Sequence, residues 1–213
     1  VRDETGSRTS TLFDKTARWF DRAHAALLND LPCHQGCSHC CLGLFPITLL
    51  DQEELRRGLR SLPEEQRRTI EETAALQARM IEESAPQLAH NQFIDHWSDA
   101  DIDSVVECYQ ALPCPVLTSE GSCSLYAFRP LTCRSMGIPS EIAGTVQGAC
   151  AVQTSVPLIR LSQSVRQEED RLAADEASQL IQLRRQSGAA GEELFMPYAF
   201  LLTTVAETAE TTT

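Results

Sequence analysis

Four cysteines fall within nine residues in the run Cys33-His-Gln-Gly-Cys37-Ser-His-Cys40-Cys41. Thiolates are soft ligands, and such density suits shared metal coordination far better than cross-links closing loops. In a helical conformation Cys33, Cys37 and Cys40 stand at i, i+4 and i+7 on one face, and Cys41 adjoins it. A core uses cysteine as a small apolar residue, which does not call for four of them beside His34, His39 and Gly36. A second group follows at Cys114, Cys123 and Cys133. Gly121 permits a tight turn before Cys123, and Pro130 stiffens the approach to Cys133, so loops can present these thiols. Tyr126, Arg129 and Arg134 could donate hydrogen bonds around a thiolate-bound metal, or equally hold loops through carboxylates and carbonyls.

The number of ligands narrows the metal. Seven cysteines exceed the four needed by one tetrahedral zinc or one four-iron cluster and fall one short of two all-cysteine zinc sites, for which Cys150 is the possible additional ligand. Structural zinc sites pair two short spacings, whereas a local run with a distant fourth ligand looks like one clamped cluster. The expected cofactor is therefore an iron-sulfur cluster, four-iron four-sulfur, with zinc as the alternative. Other candidates are weaker. His34 and His39 read as neighbours of ligands, His24 as a core residue and Cys108, without a motif partner, as core. Asp99, Asp101 and Asp103 mimic the start of a calcium loop, but Ser104 and Gln110 occupy the positions of its glycine and glutamate. Acidic residues at a helix start account for them. No phosphate loop, dinucleotide fingerprint or serine-nucleophile elbow is present.

Helices must carry these loops. Phe13, Ala17, Phe20, His24 and Leu27 predict an amphipathic helix from about Leu12 to Asn29, leading into the first cysteines. Leu42 to Ile47 is short, apolar and reads as extended. Thr48 with Asp51, or Asp51 with Glu54, can form a capping box for a helix through Leu62, and Ser61 with Glu64 another for a helix ending before Pro86. A short helix is expected around Asp101 to Gln110, within a Pro-, Gly-, Ser- and Cys-rich stretch. A long helix from Ser162 to Gly188 places Leu172, Ala173, Ala177, Leu180 and Ile181 on one face, and a final helix is expected over Glu192 to Val205. The fold class is thus mainly α, with helices packed around a loop-rich, cysteine-rich centre. The expected divisions are an N-terminal helix at 1–32, a metal-binding domain at 33–150, C-terminal helices at 151–207 and a disordered tail at 208–213.

Composition removes several function classes. With 30 acidic and 18 basic residues the formal charge is -12. That argues against a duplex nucleic-acid binder, which needs a cationic face, and disfavours an anionic membrane surface. Lys15 is the single lysine, so an interior Schiff-base lysine has no candidate. The first twenty residues hold no apolar signal-peptide core, and Leu194 to Val205 is interrupted by Pro197 and shorter than the about 20 residues of a membrane span. Reduced thiols in a soluble, cytoplasmic protein are expected.

Cys33, Cys37, Cys40-Cys41, Cys114-Pro115, Gly121, Cys123, Tyr126, Arg129-Pro130 and Cys133-Arg134, in this order, resemble the YkgJ family, also called the CxxCxxCC family and described as zinc- or iron-chelating. The resemblance spans roughly residues 33 to 134. It implies a cysteine-bound metal centre, an iron-sulfur cluster by analogy with a family relative that methylates flagellin lysines. Function is then expected to be electron transfer or support of a partner enzyme. The alternatives are a metal-dependent, methyltransferase-like modifying enzyme and a zinc carrier or interaction module. The C-terminal helices are expected to pack on the cysteine domain, with a surface for a protein partner as the alternative.

Overall fold

The computed structural model describes residues 11–27, 36–142, 144–148 and 160–201. Cys33, His34, Cys150, the helix end expected at Asn29 and the tail expected at 208–213 lie outside them. The described residues form a mainly α fold with small sheets, in line with the sequence. Helix α1, Leu12–Ala26, opens on a reciprocal box in which the Asp14 N–H donates to Thr11 Oγ1 and the Thr11 N–H to the Asp14 carboxylate. The Thr48–Asp51 box likewise opens α2, Leu49–Arg60. The box expected from Ser61 and Glu64 does not form, and α3, Glu64–Ser84, is entered from Pro63. Ser61 instead ends α2, its hydroxyl donating to the Gly58 carbonyl at 2.6 Å, because the last carbonyls of a helix also require partners. Ser98 caps α4, Asp99–Cys108. A single turn, α5, covers Leu131–Ser135, and α6 runs over Gln163–Ser187 to Gly188, whose φ of +65° suits glycine.

Four three-residue strands pair as β1, Pro46–Thr48, with β4, Glu193–Phe195, and as the hairpin of β2, Ser140–Ile142, with β3, Thr145–Gln147. Over the described part of the apolar helix expected at Glu192 to Val205, β4 and the 3-10 turn that follows it, Met196–Phe200, take its place, and residues 202–205 lie outside the described residues. Pro197 has no N–H to donate, while the chain already seated at β1 offers a ladder with Ile47 opposite Leu194. Leu49 N–H donates to Glu192 O and Met196 N–H to Phe45 O. Gly191 admits the bend, since a Cβ there would lie 2.2 Å from an Asp95 carboxylate oxygen.

Two hydrophobic clusters result. The larger is built from α2, α3, Val105 of α4 and the wholly buried stretch Leu194–Phe200. The smaller joins Trp19, Ala23 and Leu27 of the first helical segment to Ile138 and Leu161, with Leu172 of α6 against it. The C-terminal stretch is therefore not one packing unit. Within α6 only part of the expected stripe faces inward. Leu180 is buried and Leu172 half-buried, but Ala173, Ala177 and Ile181 are exposed. Cys108, in the last turn of α4, is also exposed rather than in the core, since Val105 supplies that helix's inward contact. No helix among the described residues is long and apolar enough to cross a membrane.

This packing predicts unequal roles for two apolar residues of the C-terminal half. Phe195→Ala removes a fully buried ring and is expected to lower unfolding stability by about 3–5 kcal/mol. Ile181→Ala on the exposed side of α6 should stay within about 0.5 kcal/mol. Denaturant titration measures both, and similar shifts in the two would contradict the assignment.

Candidate metal centre

The first cysteine run is not a helix where it is described. Gly36 takes φ +95°, outside the right-handed region, and His39–Cys41 forms a 3-10 turn closed by Cys41 N–H donating to Ser38 O. The helical face expected of these cysteines is thus replaced by a tight turn. The chain then pairs with the second run. Leu42 bridges Pro113, Cys114 N–H donates to Cys41 O at 2.7 Å, and Gly43 N–H donates to Leu112 O at 2.8 Å. From α3, the Gln77 amide donates to Pro113 O at 2.8 Å and fixes this pairing to the core.

Cys123 reaches the same place by a small hairpin. Thr118 N–H donates to Ser122 O, Ser124 N–H donates to Val116 O, and Gly121 turns the chain at φ +76°. The 3-10 turn Tyr126–Phe128 follows and lies on α2 at Gly58, where a Cβ would stand 2.5 Å from the Phe128 ring. Only glycine permits that approach. Cys133 is then carried by α5, whose first N–H, on Leu131, donates to Asp51 Oδ1 at 2.8 Å. The other oxygen of Asp51 accepts from Thr48 N–H and Thr48 Oγ1 at the start of α2. One carboxylate, 1 % exposed, therefore ties the beginnings of two helices together. Burial pushes the Asp51 pKa upward, opposed by these hydrogen bonds.

Cys37, Cys40, Cys41, Cys114, Cys123 and Cys133 all line one cavity of about 100 Å3. Phe20 of α1, Phe45, Leu55, Val116, Met136 and Met196 complete apolar walls, with Tyr126, Arg129 and Pro130 at its side. A single water needs about 10–15 Å3 by a comparable measure, so the space exceeds that of one small ion. Among the described residues, no three His, Cys, Asp or Glu side chains converge as they stand on one ion. The thiols surround a volume rather than a point. All seven described cysteines are free.

Four of the cavity thiols, Cys40, Cys114, Cys123 and Cys133, have their pKa raised, which disfavours the thiolate. Burial pushes Cys114 up to about 12, and nearby Cys123 and Cys40 add to the rise. Cys123 and Cys133 are raised chiefly by burial, Cys133 also by its neighbouring thiols and by Asp51. Cys40 is raised first by its side-chain hydrogen bond with Cys41 and then by burial. A metal cation compensates the loss of those protons and favours the thiolates. The donor set fits a soft, thiophilic metal group.

The motif's other polar residues separate. Arg134 does not line the cavity. It is 7 % exposed, its Nε donates to Arg129 O at 3.0 Å and its Nη2 to Ala127 O at 2.6 Å, and Glu54 stands 3.8 Å away. Of the two roles open to it, these hydrogen bonds match the holding of a loop, the one between Cys123 and Cys133. Arg129 does face the cavity, 3.8 Å above the centre of the Tyr126 ring. His39 is exposed and is not part of the lining, and His24 is half-buried with its ring 5.8 Å from that of Phe20. Sequence reasoning placed Asp51 only as a helix cap and overlooked Gly58. The capping pattern was visible, but Leu131 as the second partner, 80 positions away, carries no local signal.

Residues 32–151, more than half the chain, match the CxxCxxCC family model, whose description is "Putative zinc- or iron-chelating domain". No curated protein and no solved structure matches the chain.

The Asp51 tie is testable by two substitutions. Asp51→Ala deprives the Leu131 and Thr48 donors of their acceptor and is expected to destabilise the protein by about 1–3 kcal/mol per stranded donor. Asp51→Asn keeps one carbonyl acceptor and should fall between it and the parent in chemical denaturation. An Asp51→Ala variant as stable as the parent would show that the tie is dispensable.

Proposed function

We propose that this chain, which belongs to the CxxCxxCC family of zinc- or iron-chelating domains, carries an iron-sulfur cluster in the six-thiol cavity and serves electron transfer or a partner enzyme. The observation that carries the reading is the convergence of cysteines from separate loops on one apolar space larger than a single ion needs. Cys37, Cys40, Cys41, Cys114, Cys123 and Cys133 would hold the group, with Cys33 as a further ligand and Cys150 as an additional one. Four thiolates suffice for a four-iron four-sulfur cluster, and such a cluster supplies one-electron chemistry when bound. A structural zinc, by contrast, draws its sulfurs to about 2.3 Å around one centre.

The chain's own residues define what surrounds that group. Phe20, Phe45, Leu55, Val116 and Met196 exclude water from one side, which strengthens electrostatic effects on the group. On the other side Tyr126 is 37 % exposed, and Leu42, next to Cys41, is 51 % exposed. The centre therefore lies close to the surface, as electron exchange with a partner requires. Thiol ligands of this kind call for a reducing compartment such as the cytoplasm.

Anaerobic purification followed by visible absorption, iron and acid-labile sulfide analysis tests the reading. Stoichiometric iron and sulfide with a coloured protein are expected, while a colourless protein holding stoichiometric zinc would replace the cluster by the zinc alternative. Cys37→Ser and Cys123→Ser should each lower bound metal sharply and reduce thermal stability, whereas Cys108→Ser on the exposed end of α4 should change neither. Undiminished metal in both cavity variants would refute the site.

A further inference from the structure

The two arginines beside the cavity are separated by five positions, and their donors have opposite fates. Arg134 is engaged by Arg129 O, Ala127 O and Glu54, and its guanidinium carbon lies 5.4 Å from the centre of the Phe13 ring. Arg129 lies on the cavity wall with Nε and Nη1 buried and without a hydrogen-bond partner among the described residues. Buried donors on a charged group are costly to leave unmade, so their position calls for an acceptor that arrives with the bound group. The Tyr126 ring below the guanidinium restrains its plane without supplying an oxygen. Apolar side chains and thiols make up most of the cavity, and neutral thiols accept hydrogen bonds weakly. Metal-bound thiolates are stronger, charged acceptors.

We propose that Arg129 is a positioning residue of the centre, its Nε–H and Nη1–H donating to metal-bound thiolate sulfur in the cavity while Tyr126 packs against the guanidinium. The assignment rests on the reading of the cavity as a metal centre. It distinguishes Arg129 from Arg134, which the sequence could not, and it assigns the exposed Tyr126 to support of Arg129 rather than to ligation. A guanidinium suits this role better than an ammonium because its fork directs two donors at fixed angles. Donation to thiolate sulfur also withdraws electron density from the metal–sulfur bond, so the residue acts on the electronic properties of the centre as well as on its affinity.

Co2+ is the probe, since its thiolate charge-transfer bands report sulfur donation whichever metal is native. The metal-free full chain is titrated with Co2+ against a competing chelator. Arg129→Leu is expected to weaken Co2+ binding by about 10–100-fold and to shift the thiolate-to-cobalt band to lower energy. Arg129→Lys should recover part of the affinity through its charge but not the band position. The metal-free Arg129→Leu protein should melt no lower than the parent, because removing an unpaired buried charge relieves the empty cavity. Parental affinity with an unshifted band in Arg129→Leu would overturn the assignment, as would a fall in metal-free melting temperature without a change in affinity. A parent chain that binds no Co2+ would overturn both this assignment and the metal-centre reading, whereas a parent that binds with an indifferent variant overturns only the former.

Discussion

The buried carboxylate of Asp51 is the interaction on which the site most depends. Its capping oxygen belongs to α2 and its other oxygen belongs to α5, so the scaffold and the turn carrying Cys133 share one anchor. A five-residue helix has no cooperative stability of its own, and Leu131 N–H would otherwise be an orphan at its start. Burial opposes the charge on Asp51, and three hydrogen bonds offset that opposition. Gly58 works beside it. By admitting the Phe128 ring against α2, it sets the path of the chain from Cys123 to Cys133.

The same logic of external support applies to the other cysteine loops. Cys41 and Cys114 are joined backbone to backbone, and Gln77 of α3 holds the Pro113 carbonyl that precedes Cys114. None of these segments has enough apolar surface for independent stability, so each borrows rigidity from the helical core. The consequence is a cavity whose shape is set by α1, α2 and the Phe45 to Met196 region, while its chemistry is set by loops. Buried thiols such as Cys114 and Cys133 on apolar walls, with Arg129 in the lining, form an environment in which an incoming metal supplies the charge that burial otherwise disfavours.

The far end of the chain takes part in this support. Met196 lines the cavity, and its backbone N–H donates to Phe45 O, another wall residue. The matched family segment ends at residue 151, yet the described core is completed by Leu194–Phe200. The chemistry-bearing half and the structural completion of its walls are thus separated by α6, which packs mainly along α1 through the smaller cluster.

What the sequence determined by itself is what short-range pattern can encode. The density of cysteines marked the segment that the family model also matches, apolar periodicity located α1, α3 and α6, and two overlapping capping patterns, Thr48–Asp51 and Asp51–Glu54, bracketed the start of α2. Tertiary structure decided the rest because the deciding partners are distant in the chain. Leu194 and Phe195 read as helix until β1 offers a ladder across nearly 150 positions. Ser61 reads as a cap for α3 until the end of α2 claims its hydroxyl. Arg129 and Arg134 are equivalent as letters in a motif, and only folding gives one of them three oxygen partners and leaves the other facing the thiols. Local spacing records which side chains can do chemistry, whereas the direction in which each one points depends on which neighbour satisfies its hydrogen bonds.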